Sequence, residues 1–89
     1  MRAVITVVGK DAVGIIAEVS NVLKNRSVNI IDISQSVISD MFAMVMMADI
    51  SEINCDFSNF VDEMSALGNE KNLSIRAMHE DIFNAMHNI

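Results

Sequence analysis

The sequence predicts an α+β domain: one four-stranded antiparallel sheet with two helices on one face. Three observations lead there. First, the apolar period switches between about two and about 3.6 residues in the order strand, helix, strand, strand, helix, strand. Second, the first and third strand segments are apolar at nearly every position, whereas the second and fourth alternate apolar with polar. A sheet of order 4-1-3-2 demands that division, because it has two inner strands and two edges. Third, no proline, linker or low-complexity tract interrupts the run, so residues 1–89 are expected to form a single domain. This is the split βαβ, or ferredoxin-like, arrangement, followed by a short C-terminal helix.

The elements follow in order. Arg2–Val8 holds Ala3, Val4, Ile5, Val7 and Val8, the pattern of a strand covered on both faces. Gly9 to Gly14 breaks the strand, with Asp11 a candidate cap for the next helix. From Ile15 the residues Ile15, Val19, Val22 and Leu23 share one helical face, opposite Glu18, Asn21, Lys24 and Asn25. After a turn at Asn25–Asn29, the residues Ile31, Ile33 and Val37 alternate with Asp32, Ser34 and Ser36, a strand with one wet face. Ser39 and Asp40 make a tight connection to Met41–Ala48, apolar throughout and expected to be buried on both sides. Phe57, Phe60, Val61, Met64 and Leu67 then recur at helical spacing, with Asp56 as cap and Gly68 near the end. Leu73, Ile75 and Ala77 alternate with Ser74 and Arg76 in a fourth strand. Asp81–Ile89 reads as a closing helix carrying Ile82, Phe83, Met86 and Ile89 along one side. The second apolar face of strand three must be hidden by that helix, by another subunit, or by both.

Composition narrows the function. A chain of 89 residues buries only about 60–65% of the surface its unfolded form exposes, so outside support is expected. Cys55 is the only cysteine and excludes an internal disulfide, and no Cys/His cluster offers structural zinc. Self-association is the remaining support, in keeping with a 52% hydrophobic share. The net charge of −6, with Arg2, Lys10, Lys24, Arg26, Lys71 and Arg76 scattered, argues against direct nucleic-acid binding. No run reaches the roughly 18 apolar residues of a membrane span, and the start lacks a signal-peptide layout. A cytoplasmic location is expected.

No constellation able to run a reaction is visible. Gly9 and Gly14 have the spacing of a phosphate loop, but Ile15 and Ile16 stand where Lys and Ser or Thr are needed. His79, Glu80, Asp81 and His87 sit at a strand-to-helix join, where acids cap a helix rather than bind metal. Cys55 has no neighbouring His or basic residue in sequence to lower its pKa, so it reads as a packed thiol. Met41, Met44, Met46 and Met47 fill an inner strand, and those on its open face would suit an interface. Asp62 and Glu63 lie on a solvated helix side without a convergent partner. One candidate cradle is left. The turn between the first strand and helix offers unpaired N–H groups and a partial positive charge to an anion, flanked by Gly9 and Gly14. A turn that needs glycine only to pack would look the same.

The run Ile5-Thr6-Val7-Val8-Gly9-Lys10-Asp11-Ala12-Val13-Gly14-Ile15-Ile16, with Val28-Asn29-Ile30 and Ile33-Ser34-Gln35, resembles the ACT domain. The resemblance extends to the closing Ile82-Phe83-Asn84-Ala85-Met86 and is greatest to bacterial and archaeal ACT proteins of about this length. It is looser to the ACT half of a regulator of glycine cleavage genes. The resemblance implies the fold derived above and a non-catalytic regulatory module, without a cofactor, that binds a small molecule, commonly an amino acid, between paired domains. Carried over by position, Asp11, Ala12, Val13, Gly14 and Ile15 would form the ligand loop, with Asn29 and Ile30 facing it from the same or a partner subunit. Many members carry proline where this chain has Val13. The implied partners are the ligand, a second copy in a dimer, and a separate regulated protein.

Two other functions fit the same scaffold less well. An assembly module without a ligand would use the open face and its methionines. An enzyme of the acylphosphatase kind would need an arginine in the first turn, where the chain offers only Lys10, a poorer bidentate partner.

Overall fold

A computed structural model describes residues 1–10 and 13–87. Its elements are β1 (Arg2–Gly9), α1 (Ile15–Asn25), β2 (Asn29–Ile38), β3 (Met41–Asp49), α2 (Phe57–Lys71), β4 (Ser74–His79) and α3 (Glu80–His87). The expected cap Asp11 and the last helical position Ile89 lie outside the described residues. The strands form one antiparallel sheet of order β2-β3-β1-β4, with the two strands of two-sided apolar character at its centre.

One face of the sheet meets α1 and α2. Ala3, Ile5 and Val7 of β1, Met44, Met46 and Ala48 of β3, and Ile75 and Ala77 of β4 close over Ile15, Val19 and Leu23 of α1 and Phe60 and Met64 of α2. Each fully buried large side chain of this set stabilises the fold by about 1.5–3 kcal/mol relative to exposure. The helix faces assigned by periodicity are the ones that pack.

Helix ends depart from the sequence reading in detail. Asp56 occupies the N-cap position of α2, but its side chain makes no capping bond. Gly68 does not end α2. It lies inside the helix, where a Cβ would stand 2.6 Å from the carbonyl oxygen of Leu73 and 3.0 Å from the amide nitrogen of Ile75. The stop is made by Asn72 in the left-handed conformation (φ 58°), while Leu73 N–H donates to the Gly68 carbonyl at 2.8 Å.

The edge strand β2 is wet on both faces, not one. Its register slips between Ile30 and Asp32, so Ile30 packs against the core and Ile31 is pushed outward. Ile33 and Val37 pair with Met46 and Phe42 and so share the helix face, yet on this edge strand Val37 is 68% exposed.

The other sheet face is half covered. Val4, whose neighbours are Met47 and Met78, lies outside the main core yet is only 2% exposed, since α3 crosses this face beside β1 and β4. Arg2 clamps the start of α3, donating through Nε to Glu80 at 3.1 Å and pairing through its second nitrogen at 2.7 Å. Beyond α3, Val45 (41% exposed), Val8, Met41 and Ile38 remain open, which corrects the expectation that 41–48 is buried on both sides. Helix α3 itself buries only part of Phe83, leaving Ile82 and Met86 in solvent.

Candidate functional site

The β1–α1 turn is built by what its ends require. Gly9 closes β1 against Leu73, and a Cβ there would overlap the Leu73 Cδ2. Gly14 opens α1 as its N-cap at φ 76°, a left-handed conformation that L side chains rarely adopt, and among the described residues nothing lies within 4 Å of where a Cβ would project. One glycine is a packing requirement and the other a backbone requirement. Having no side chain, Gly14 gives the first-turn amides of α1 no capping oxygen. Its own carbonyl accepts the Glu18 N–H at 3.2 Å, which starts the helix. Ile15 is buried and anchors that start, while Val13 stands 94% exposed beside it.

Two clefts flank the turn. One of about 210 Å³ is lined by Val13, Ile15, Glu18, Lys71 and Leu73. The other, of about 440 Å³, is lined by Gly9, Lys10, Met41, Lys71 and Asn72. Lys71 stands between them and pairs with Glu18 at 3.2 Å, while Lys10 pairs with Asp40 at 3.7 Å. These are exposed pairs worth at most about 1 kcal/mol, so either ammonium can exchange its partner for an incoming anion. The helix dipole has the same sign as both lysines, and a carboxylate is the group this arrangement favours.

The predicted residues do not all meet in one chain. Val13, Gly14 and Ile15 sit at the turn, and Asp11 and Ala12 lie outside the described residues. Asn29 and Ile30 are elsewhere. The row Gly9–Phe42–Val37 marks one end of the sheet and the row Arg2–Asp49–Asn29 the other. Seven residues at about 3.3 Å each separate these rows by about 23 Å. Within one subunit Asn29 cannot face the turn. Asn29 is exposed and Ile30 is half-buried under the helices.

Two neighbourhoods escaped the sequence reading. Cys55 is half-buried against the core, and its thiol lies near enough to Arg26 to act on it electrostatically. The basic neighbour absent from the local sequence is thus supplied by the α1–β2 turn, which Asn54 holds by donating to the carbonyls of Asn25 at 2.9 Å and Arg26 at 3.1 Å. The Arg26 guanidinium is raised above its ordinary pKa, first by its hydrogen bond to Glu63 at 2.8 Å. The second neighbourhood is His79, whose ring stacks on Phe57 at 4.2 Å, while Nδ1 is buried without a hydrogen-bond partner. Glu80 is engaged by Arg2 and the His87 Nδ1 lies 2.9 Å from the Phe83 carbonyl oxygen, so this acidic and histidine-bearing stretch is used locally.

Residues 2–78 match the ACT domain. The chain belongs to the ACT domain family. It is 47% identical to a UPF0237 protein of Listeria innocua over 89 residues, the whole of both chains. It is 49% identical to a UPF0237 protein of Methanococcus maripaludis over 88 residues, covering 99% of this chain and 98% of the other. Among solved structures it is similar to an ACT domain protein from Streptococcus pneumoniae, with a TM-score of 0.81, 40% identity and 98% coverage of both chains. It is also similar to part of a formyltetrahydrofolate deformylase from Pseudomonas syringae, with a TM-score of 0.77 and 25% identity. That match covers 88% of this ACT domain but only 27% of the deformylase. No helix among the described residues of this ACT domain is long and apolar enough to cross a membrane.

Proposed function

We propose that this ACT domain is a non-catalytic regulatory module that binds an amino acid at the β1–α1 turn, in a dimer formed through the β2 edges. The observation that carries the reading is Gly14: a left-handed N-cap with open space where a side chain would be, at the positive end of a helix. The 210 Å³ cleft beside it is below the roughly 300–1,000 Å³ of drug-sized sites, the scale of a compact metabolite.

The dimer follows from the separation of Asn29 from the turn. Strand β2 is an outer strand of ten residues whose edge carries one charge, Asp32, and a bulge at its start, but no proline, lysine or arginine. Two copies pairing their β2 edges antiparallel would set the Asn29 end of one beside the Ile38 end of the other. That end lies level with Gly9, so the second copy would bring Asn29 and Ile30 towards the ligand loop. The outward isoleucines and valine of β2 would gain cover in the same step. A thermal-shift screen against the standard amino acids tests the reading. A ligand at 100 times its Kd stabilises by about 2.7 kcal/mol, several degrees for a domain this size. An unmoved melting temperature across the panel would remove the amino-acid assignment.

One observation favours a second reading, assembly without a ligand: the open sheet face leaves Ile38, Met41, Val8 and Val45 in solvent. A protein that associates at micromolar concentration yet binds no metabolite would support it.

A further inference from the structure

We infer that the free edge of β4 carries a second binding cleft, separate from the β1–α1 turn, for a small amine with an apolar body. Here residues of α2, β4 and Ile82 of α3 line a shallow, open groove of about 520 Å³. The body of the cleft is apolar: Phe57, Val61, Ala77, Met78 and Ile82. Its polar groups are Ser58, Asp62 and His79, and neither lysine nor arginine is among the described lining residues. Asp62 is the one charged residue among the described lining, and unlike the next residue Glu63, which Arg26 engages, it has no ion pair among the described residues. His79 contributes its ring, whose Nδ1 is buried without a hydrogen-bond partner among the described residues. Stacking on Phe57 fixes the ring there.

An apolar pocket whose one charged lining residue is a carboxylate favours a cation over an anion. Aromatic and aliphatic amines place the ammonium at Asp62 and the carbon body along Phe57, Val61 and Ile82. Across His79 and Ile82 lies a second hollow of about 620 Å³ lined by Met1, Arg2, Glu80 and Asp81, where the Arg2 guanidinium is committed to Glu80 and the Met1 ammonium donates to the Ser51 hydroxyl. The turn proposed for amino acids offers the opposite electrostatics at the other end of the sheet, so the two sites are chemically distinct.

The test is an amide chemical-shift titration of the full chain with phenethylamine, and with 3-phenylpropionate as the same body bearing the opposite charge. Saturable shifts at Phe57, Val61, Met78 and Ile82, with a Kd on the order of 1 mM for phenethylamine and none for the carboxylate, are expected. Asp62→Asn should weaken binding about threefold, the scale of an exposed ion pair. Ile82→Ala removes apolar lining from an exposed position that does not support the core and should weaken it without unfolding the protein. Equal binding of the carboxylate, an Asp62→Asn variant of unchanged affinity, shifts confined to residues 9–15, or no saturation at these amides would each overturn the assignment.

Discussion

Replacing Gly14 by alanine isolates the backbone on which the proposed ligand turn depends. A new Cβ meets no atom of the described residues within 4 Å, so their crowding contributes nothing to the outcome. What it meets is conformation: at φ 76° a side chain costs about 1–2 kcal/mol. Against this, alanine restricts the unfolded chain and recovers about 0.4–1 kcal/mol. The net is a loss of about 1 kcal/mol. With a urea slope near 1 kcal/mol/M for so small a chain, the unfolding midpoint should fall by about 1 M. Gly14→Asn should lose about half as much, because asparagine tolerates the left-handed region, and Gly14→Val should lose most. Urea unfolding followed by circular dichroism ranks the series. A Gly14→Ala variant as stable as the parent would mean that residue 14 is not left-handed in solution, and the open cradle at α1 would fall with it.

Further outcomes follow from the same geometry. In an exposed helix Gly→Ala gains about 1 kcal/mol, but at Gly68 the Cβ would press on the backbone of Leu73 and Ile75, so Gly68→Ala should cost about 1–3 kcal/mol in a thermal melt; a gain would contradict the close helix–strand approach. Val37→Lys places a charge on the β2 edge and should give a folded monomer by light scattering, where an unchanged dimer would move the interface elsewhere. Asp49 accepts bonds from the Ser51 hydroxyl at 2.6 Å and the Ser51 N–H at 2.9 Å, which hold its carboxyl below the ordinary value. A lowered folded pKa contributes stability that is present above the unfolded value of about 3.9 and lost as pH falls through the folded one. Ser51→Ala removes the hydroxyl bond and keeps the amide bond, so a carboxyl NMR titration should find the Asp49 midpoint moved upward but not fully restored.

The inner strands were legible because they are apolar at nearly every position, as in Met41–Ala48 and Arg2–Val8, although the open sheet face leaves Val8, Met41 and Val45 exposed. The helix faces were legible because Ile15, Val19 and Leu23, and Phe60 and Met64, repeat at a spacing that only a helix can align. The bulge in β2 was hidden because Ile30 and Ile31 are adjacent and equally apolar, so either phase of alternation fits. The wetness of that strand depends on how far α1 reaches, which no local pattern encodes. The distance between Asn29 and the turn was implicit in the topology: β2 runs parallel to β1, so its first residue must lie at the opposite end from Gly9. Tertiary proximity alone supplies the nearness of Arg26 to Cys55 and the cleft around His79, since their partners lie on other elements.

Calorimetric titration of the parent, Gly14→Val and Val37→Lys proteins with the amino acid that shifts melting most would probe the proposed sensing turn at its root. One ligand per chain in the parent, and heat lost in both variants, is the result expected of a cradle at α1 completed by a second subunit. Undiminished binding by a monomeric Val37→Lys protein, or by Gly14→Val, would place the ligand somewhere other than that shared turn.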